Sequence, residues 1–348
     1  MKRSNAVFLA LCVPTHALLR FQCAQLVIDR LDPLVTPGMA PSPHLHQILG
    51  GNSFNTTMDP TKDMPGESTC TSCSFSEDFS NYWTATLYFK AKNGTYKRVT
   101  QKPNAGFDGV NGGMTVYYMQ DGLYNFNQVS KVTAFTPGFR MFIGDVNAKT
   151  KEEAERFRQL TFTCLQTIGT RDPQILDFPS EPCPAGIMTA VRFPTQASPT
   201  CWDGKNLDSP DHMAHMSYPE TGSFESGGPC PATHPVRVPQ LFYEVVWDTA
   251  PFNNRDDWPT DGSQPFVWSF GDATGYGNHG DYMFGWKDDA LQRAMDSPCY
   301  VNCPTLKTQD VAAMNKCTIE RRVDEDIDGW VTALPGGHQA SYVKKRWD

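Results

Sequence analysis

Short runs of alternating apolar and polar residues recur along the chain and predict β-strands. Seven runs are rich in β-branched and aromatic residues and are bounded by turn-forming residues. They cover residues 82–89, 114–119, 139–143, 160–165, 186–193, 240–247 and 265–270. Because their connections are rich in Gly, Pro, Asn and Asp, these short strands predict a mainly β fold of the β-sandwich or jelly-roll type.

Helical signals are confined to two short segments. The sequence Thr150-Lys-Glu-Glu153 is a capping box that predicts a short helix through about Arg158, and residues 287–295 form a second candidate. No internal repeat, low-complexity linker or break in composition divides the chain. We therefore expect one β domain over residues 25–348, with long loops at 194–239 and 271–286.

The first residues have the pattern of an export signal. Two basic residues precede a short apolar run that ends at Val13, and cleavage after Ala17 or after Ala24 fits the small residues that follow. The first cut leaves ten cysteines and the second leaves nine, so complete pairing favours a signal peptide of residues 1–17. No later segment is apolar enough to span a membrane.

Composition narrows the class of protein further. Only 20% of the 348 residues are charged and 39% are hydrophobic, which is typical of a well-packed globular protein. The formal net charge of −8 disfavours nucleic-acid binding, because such a surface repels phosphate. Ten cysteines in an exported chain predict disulfides, and sequons at Asn55 and Asn93 predict surface glycosylation.

Two polar, proline-containing segments supply histidines in patterns that suggest a site. The first, 41–51, contains His44 and His46, whose imidazoles project to one face if the segment is extended. The second, 202–219, contains Asp211, His212 and His215. A helical turn after the preceding proline would place these two histidines on one side.

A third candidate segment, 271–286, is rich in glycine. Its glycines allow backbone bends that would aim His279 and Asp281 inward. Tyr276, Tyr282 and Trp286 lie in the same segment and predict a wall on which sugar rings stack. Together the three segments predict one polar cavity, although they lie far apart along the chain.

Longer motifs around these residues resemble the DUF1996 family of fungal and some bacterial secreted proteins. The resemblance covers residues 27 to about 295 and implies an exported protein, often joined to wall-binding WSC or carbohydrate-binding modules. It implies no catalytic mechanism. The motifs that carry it are Arg30-Leu-Asp-Pro-Leu-Val35, HxHQIxGGNxF, Tyr82-Trp-Thr, CWDGxNLDSPDHxxHMxYP, CPxTHPVRVPQLFYEVVWD and GDxTGYGxHGDYxxGW.

The leading interpretation is a secreted, extracellular or wall-associated protein that binds or degrades cell-wall or plant polysaccharide in a cleft of His, Asp and aromatic side chains. If it is an enzyme, we expect a glycoside hydrolase or polysaccharide lyase. The candidate catalytic residues are His44, His46, Asp211, His212, His215, His279 and Asp281. The candidate substrate-binding residues are Trp202, Asp203, Tyr276, Tyr282 and Trp286.

Two alternatives remain open from the sequence. In one, His44, His46, His212 and His215 hold a divalent zinc- or copper-type ion, while neighbouring carboxylates fix the ring tautomers. In the other, the protein is a non-enzymatic, disulfide-rich component of the wall or matrix, and the motifs only hold its loops together. The sequence does not determine the disulfide pairing or the oligomeric state.

Overall fold

The computed structural model describes residues 18–119, 131–157, 159–167, 169–193, 200–223 and 226–341. The predicted signal segment and Arg158 lie outside these ranges. The strands within them are β1 Leu18–Cys23, β2 Val27–Asp29, β3 His46–Gly50, β4 Asn81–Ala85, β5 Leu87–Lys90, β6 Tyr96–Arg98, β7 Gln101–Lys102, β8 Met114–Met119, β9 Arg140–Gly144, β10 Leu160–Cys164, β11 Ile187–Arg192, β12 Thr200–Trp202, β13 Met216–Ser217, β14 Gly222–Ser223, β15 Ser226–Gly227, β16 Val236–Val238, β17 Gln240–Trp247, β18 Phe266–Trp268, β19 His279–Met283 and β20 Trp330–Val331.

The helices in the described ranges are short, so the prediction of a mainly β fold is confirmed. They are α1 Met64–Glu67, α2 Lys151–Ala154, α3 Ala290–Met295 and α4 Val311–Lys316. The predicted capping box opens α2: the Thr150 hydroxyl accepts from the Glu153 N–H, and the Glu153 carboxylate accepts from the Thr150 N–H. No helix of the described residues is long and apolar enough to cross a membrane.

Two antiparallel sheets form the centre of the fold. The six-stranded sheet has the order β1-β8-β17-β11-β10, with β7 also paired to β17, and the five-stranded sheet has the order β2-β3-β4-β19-β9. A four-stranded sheet, β18-β5-β6-β20, and two small sheets, β13-β12-β16 and β14-β15, complete the set. All seven runs predicted from alternation contain strands of the three larger sheets.

Aromatic side chains fill the space between the two central sheets. Tyr82 and Tyr282 of the five-stranded sheet pack against Tyr118 and Tyr243 of the six-stranded sheet, and all four are fully buried. Burying a large apolar side chain stabilises the fold by about 1.5–3 kcal/mol relative to leaving it exposed. This packing makes the arrangement a sandwich.

The hydroxyl groups of this core form one hydrogen-bonded chain. Tyr82 donates to Asp78 over 2.6 Å, the hydroxyl oxygens of Tyr82 and Tyr118 are 2.9 Å apart, and those of Tyr118 and Tyr282 are also 2.9 Å apart. The Trp286 indole donates to Tyr118 over 3.1 Å. The network satisfies polar groups that would otherwise be buried without partners.

The buried carboxyl group of Asp78 should make the stability of the fold depend on pH. Burial raises its pKa from the usual 3.8 to about 7, although hydrogen bonds from Tyr82 and Ser80 oppose the shift. Between these two values the unfolded chain has released the proton and the folded chain has kept it, so Asp78 progressively disfavours folding as the pH rises from about 4 to about 7. The free energy of unfolding of Asp78→Asn should therefore rise by about 2–4 kcal/mol relative to that of wild type across this pH window. Urea unfolding at pH 4, 5.5 and 7 measures the difference in unfolding free energy between the two proteins. A difference that does not change with pH would contradict the raised pKa of Asp78.

Disulfides are present, as predicted, and two of the five join segments at least 50 residues apart. Every cysteine from Cys23 onward is paired. The Cys23–Cys73 bond attaches β1, so cleavage after Ala24 would leave Cys73 without its partner. The cleavage site itself stays a prediction. The five bonds are Cys23–Cys73, Cys70–Cys317, Cys164–Cys183, Cys201–Cys230 and Cys299–Cys303.

Candidate functional site

Three histidines meet on the face of the five-stranded sheet that points away from the six-stranded sheet. His46 opens β3, and His44 lies in the loop just before it. His279 opens β19, where it pairs in register with Gly144 of β9. Because side chains alternate along a strand, His279 projects to the opposite face from Tyr282, which packs in the core.

The three imidazoles converge on one point. One ring nitrogen from each lies within 4.8 Å of the other two, and the Nε2 atoms of His44 and His279 are 3.1 Å apart. Metal–nitrogen bonds are about 2.0–2.1 Å long, so two ligands of one ion lie at most about 4.2 Å apart. The three nitrogens could therefore hold one ion with only a small movement of the rings.

Main-chain carbonyls fix the orientation of two of these rings. His46 Nδ1 lies 2.9 Å from the Leu31 carbonyl oxygen, and His279 Nδ1 lies 2.9 Å from the Gly277 carbonyl oxygen. A carbonyl oxygen only accepts, so each Nδ1 donates and the tautomer inferred from these bonds leaves a lone pair on each Nε2. His46 Nε2 is buried and has no hydrogen-bond partner among the described residues.

Burial keeps the three rings neutral. It lowers the pKa of His46 and of His279 to about 4, and it lowers that of His44 well below its usual value of 6.5, with further lowering from His46 and His279. Neutral imidazole is the form that binds a metal ion. The cluster is therefore ready to bind at mildly acidic as well as neutral pH.

Two buried carboxyl groups lie near the histidines. Burial raises the pKa of Asp281 well above its usual range, and the nearby Asp32 adds to the rise. Both Asp281 carboxyl oxygens lack a hydrogen-bond partner among the described residues. Burial also raises the pKa of Asp32, while N–H groups of Val35 and Leu34 bond one of its oxygens. Asp32 is a site residue that sequence reasoning missed, and its only signal is its place in the motif from Arg30 to Val35.

A cavity of about 490 Å³ opens beside the histidine cluster. His44 and His279 reach its wall, and His46 lies behind them. Asp211 and His212 of the second predicted segment also line it. All three predicted segments thus contribute to one cavity. Its other lining residues are Asp32, Val35, Thr36, Pro43, Phe142, Gly144, Asp145, Val146, Asn147, Arg156, Phe157, Pro210 and Met213.

A known protein family matches the part of the chain that contains this site. Residues 32–286 match the model of a family described as a domain of unknown function, DUF1996. This range is well over half of the chain and contains all three clustered histidines. The chain belongs to this family. No curated protein and no solved structure matches it significantly.

Two of the four predicted metal ligands of this DUF1996 chain, His212 and His215, are not part of the histidine cluster. Successive turns replace the predicted helical turn, so His212 and His215 diverge. His212 lies on the cavity wall, where its Nδ1 is 2.7 Å from an Asp208 carboxylate oxygen. Both ring nitrogens of His215 are occupied, by the Ser209 hydroxyl and the Arg140 carbonyl oxygen. In the geometry of the described residues, the third member of the cluster is His279.

The predicted sugar-stacking wall requires correction. Tyr282 and Trp286 are buried in the core, at 0% and 2% exposure, and contact no solvent-filled cleft. Trp202 packs on the core and its indole donates to a neighbouring carbonyl, whereas Asp203 accepts main-chain N–H groups within its own turn. Neither of these, nor the half-buried Tyr276, lines the histidine cavity. The phenyl rings that line it are those of Phe142 and Phe157.

Close backbone packing at Gly144 positions His279 in the DUF1996 fold. Gly144 has φ 116°, and a Cβ there would lie 2.5 Å from the Asn278 carbonyl oxygen and 2.8 Å from the His279 Cβ. We expect Gly144→Ala to displace His279 and to weaken metal binding about 10- to 100-fold, as loss of a supporting contact does. Titration with a metal indicator measures the change. Gly169→Ala is the control, because no atom lies within 4 Å of its added Cβ, and equal affinity in both variants would contradict this role for Gly144.

Proposed function

We propose that His44, His46 and His279 bind one transition-metal ion and that the chain is an extracellular metal-dependent enzyme acting on a ligand in the adjoining cavity. The observation that carries the proposal is the convergence of three neutral rings, two of which direct Nε2 inward because Nδ1 is bonded to a carbonyl. This is the arrangement by which proteins orient metal-binding histidines. Five disulfides support the extracellular location.

The donor set restricts the ion and its chemistry. Imidazole nitrogen suits zinc, copper, iron or nickel better than calcium or magnesium, and zinc or copper is our choice. Three protein ligands leave a coordination position for water or substrate, as in catalytic zinc sites. Such an ion supplies Lewis acidity and a water that ionises near neutral pH.

The burial of His46 argues against the rival interpretation, in which the motifs only hold a scaffold together. A buried ring nitrogen without a partner costs about 1–3 kcal/mol. His46 Nε2 carries that cost among the described residues, and both oxygens of Asp281 are in the same position. Other buried groups of the fold also lack a partner, but the ring of His46 lies with two further imidazoles whose nitrogens are all within 4.8 Å of one another, as a metal site requires.

The finer proposal is that the ligand is a cell-wall or plant polysaccharide. Charged and amide groups of the cavity, including Asp145, Asn147 and Arg156, can bond sugar hydroxyls, and Phe142 and Phe157 offer apolar contact. Asp211 and His212 lie on the same wall. These groups fit a polyhydroxylated ligand. Hydrolysis and elimination both remain candidates for the reaction.

A substrate panel tests the proposal. Metal-loaded protein is incubated with glucans, xylans, mannans, chitin and uronans, and products are identified by mass. We expect product from the loaded protein and none from chelated protein or from His279→Ala. A bound stoichiometric metal with no product and no retention on any polymer would reject the polysaccharide. Protein that binds no metal would reject the whole proposal.

A further inference from the structure

A second groove lies on the four-stranded sheet, separate from the histidine cavity. It has a volume of about 590 Å³ and contains Trp330, which is 55% exposed and the most exposed large hydrophobic residue of the described chain. Phe89 and Phe252 lie beside it. No residue lines both this groove and the histidine cavity, so its role is independent of the proposed metal site.

The aromatic side chains of the groove form a fixed platform. Phe252 stacks on Phe89 with ring centroids 4.7 Å apart, and Trp330 meets Phe89 edge-on at 6.3 Å. Trp330 belongs to the edge strand β20, where it pairs in register with Lys97. Trp330 and the half-buried Phe252 thus form one apolar patch rimmed by polar groups, and a contiguous patch of this kind marks a binding site where a lone exposed ring does not.

The sequon residue Asn93 forms part of the same groove. It is exposed in the turn between β5 and β6, and its side-chain oxygen accepts from the Thr95 N–H and hydroxyl at 3.0 and 2.8 Å. Its Nδ2, the atom that glycosylation modifies, has no hydrogen-bond partner among the described residues. The occupant with the shortest route into the groove is therefore a sugar attached to Asn93.

We propose that Asn93 carries an N-linked glycan whose first sugar rings pack on Trp330 and Phe252. In forming it, Asn93 Nδ2 attacks the anomeric carbon of a lipid-pyrophosphate-linked oligosaccharide in the secretory pathway. The carbon–oxygen bond to the pyrophosphate breaks, the lipid pyrophosphate leaves, and one amide proton is lost to a base. No oxidation or reduction occurs.

The chemistry of the groove suits this occupant. A pyranose ring presents a face of C–H groups that packs on an aromatic ring, while its hydroxyls need polar partners at the edge. Lys97 and Asp257 provide a donor and an acceptor in the groove wall. Attachment at the rim makes the contact intramolecular, so even a weak contact is populated.

The second sequon, at Asn55, is the matched control. Asn55 is also exposed, but the groove beside it is lined by charged side chains such as Lys62, Glu67 and Arg321 and has no exposed aromatic ring. A glycan there lacks a stacking surface. The two sites therefore differ in the feature that the proposal requires.

The test uses the full chain secreted from a glycosylating host. Native protein is treated with an endoglycosidase that cuts within the glycan core, and release at each site is followed by peptide mass. We expect slower release from Asn93 than from Asn55. Trp330→Ala should raise the Asn93 rate about three- to tenfold, in line with the loss of one aromatic contact, and leave the Asn55 rate unchanged. Trp330→Phe should retain a rate near that of wild type.

Three outcomes would overturn the proposal. The first is an unmodified Asn93 in protein whose Asn55 is modified. The second is an Asn93 release rate that Trp330→Ala does not change. The third is tight binding of free chitobiose by Asn93→Gln protein in a manner that depends on Trp330, which would make the groove a receptor for external sugar. None of these measurements depends on the metal site.

Discussion

Alanine at His279 should reduce the metal content of the purified protein from one equivalent to a small fraction, and alanine at His44 or His46 should do the same. Each substitution removes one of three converging ring nitrogens. We expect metal affinity to fall by more than the 10- to 100-fold that loss of a supporting partner causes. Elemental analysis and the thermal shift on chelation measure the effect, since a bound ion stabilises the folded state by an amount that rises with the logarithm of its affinity.

Two other histidines serve as controls for this prediction. His234 is half-buried and its Nε2 lies 3.0 Å from the Ala214 carbonyl oxygen, and His215 has both ring nitrogens bonded within the fold. His234→Ala should retain full metal content, and His215→Ala should retain it in whatever fraction folds. The assigned cluster would be contradicted if His234→Ala or His215→Ala lost the metal while His279→Ala kept it.

Alanine at Trp286 should lower the free energy of unfolding by about 3–5 kcal/mol, the cost of removing a buried aromatic side chain. The Trp286 ring contacts Phe21, Phe75 and Tyr118, and its indole N–H donates to the Tyr118 hydroxyl. The variant leaves a cavity and removes this hydrogen bond from the core. Urea unfolding at a pH where both proteins fold measures the loss.

Trp330→Ala is the matched control for this second prediction. Its side chain is 55% exposed, compared with 2% for Trp286. We expect a change within about 0.5 kcal/mol in protein without glycans, as for most surface substitutions. Two equal and small losses would mean that Trp286 is not part of the core, and they would restore the sugar-stacking wall predicted from the sequence.

Much of the fold could be predicted from local pattern. The run at 240–247 is rich in β-branched and aromatic residues and becomes β17 with the same bounds, and 114–119 becomes β8. The capping box at Thr150 correctly begins α2, although the α-helix ends at Ala154 and a short 3-10 turn continues it to Phe157. These features depend on residues close together in the chain, so they can be predicted from the sequence alone.

The glycine-rich segment shows where local pattern failed. Glycines and polar residues predict a loop at 271–286, but residues 279–283 form β19, an interior strand of the five-stranded sheet between β4 and β9. Gly280 is required there because an added Cβ would lie 2.6 Å from the Val191 side chain of the facing sheet. Propensity favours a loop, whereas packing between sheets favours this strand.

The sequence by itself determined the strand-rich class, predicted the disulfides and selected the segments around His44, His212 and His279 as candidates for a site. It could not rank these histidines, because their relation depends on contacts between residues far apart in the chain. His44 and His279 are separated by 235 positions. Only sheet register brings their rings together, since a shift of one residue in β19 would turn His279 into the core and Tyr282 out of it.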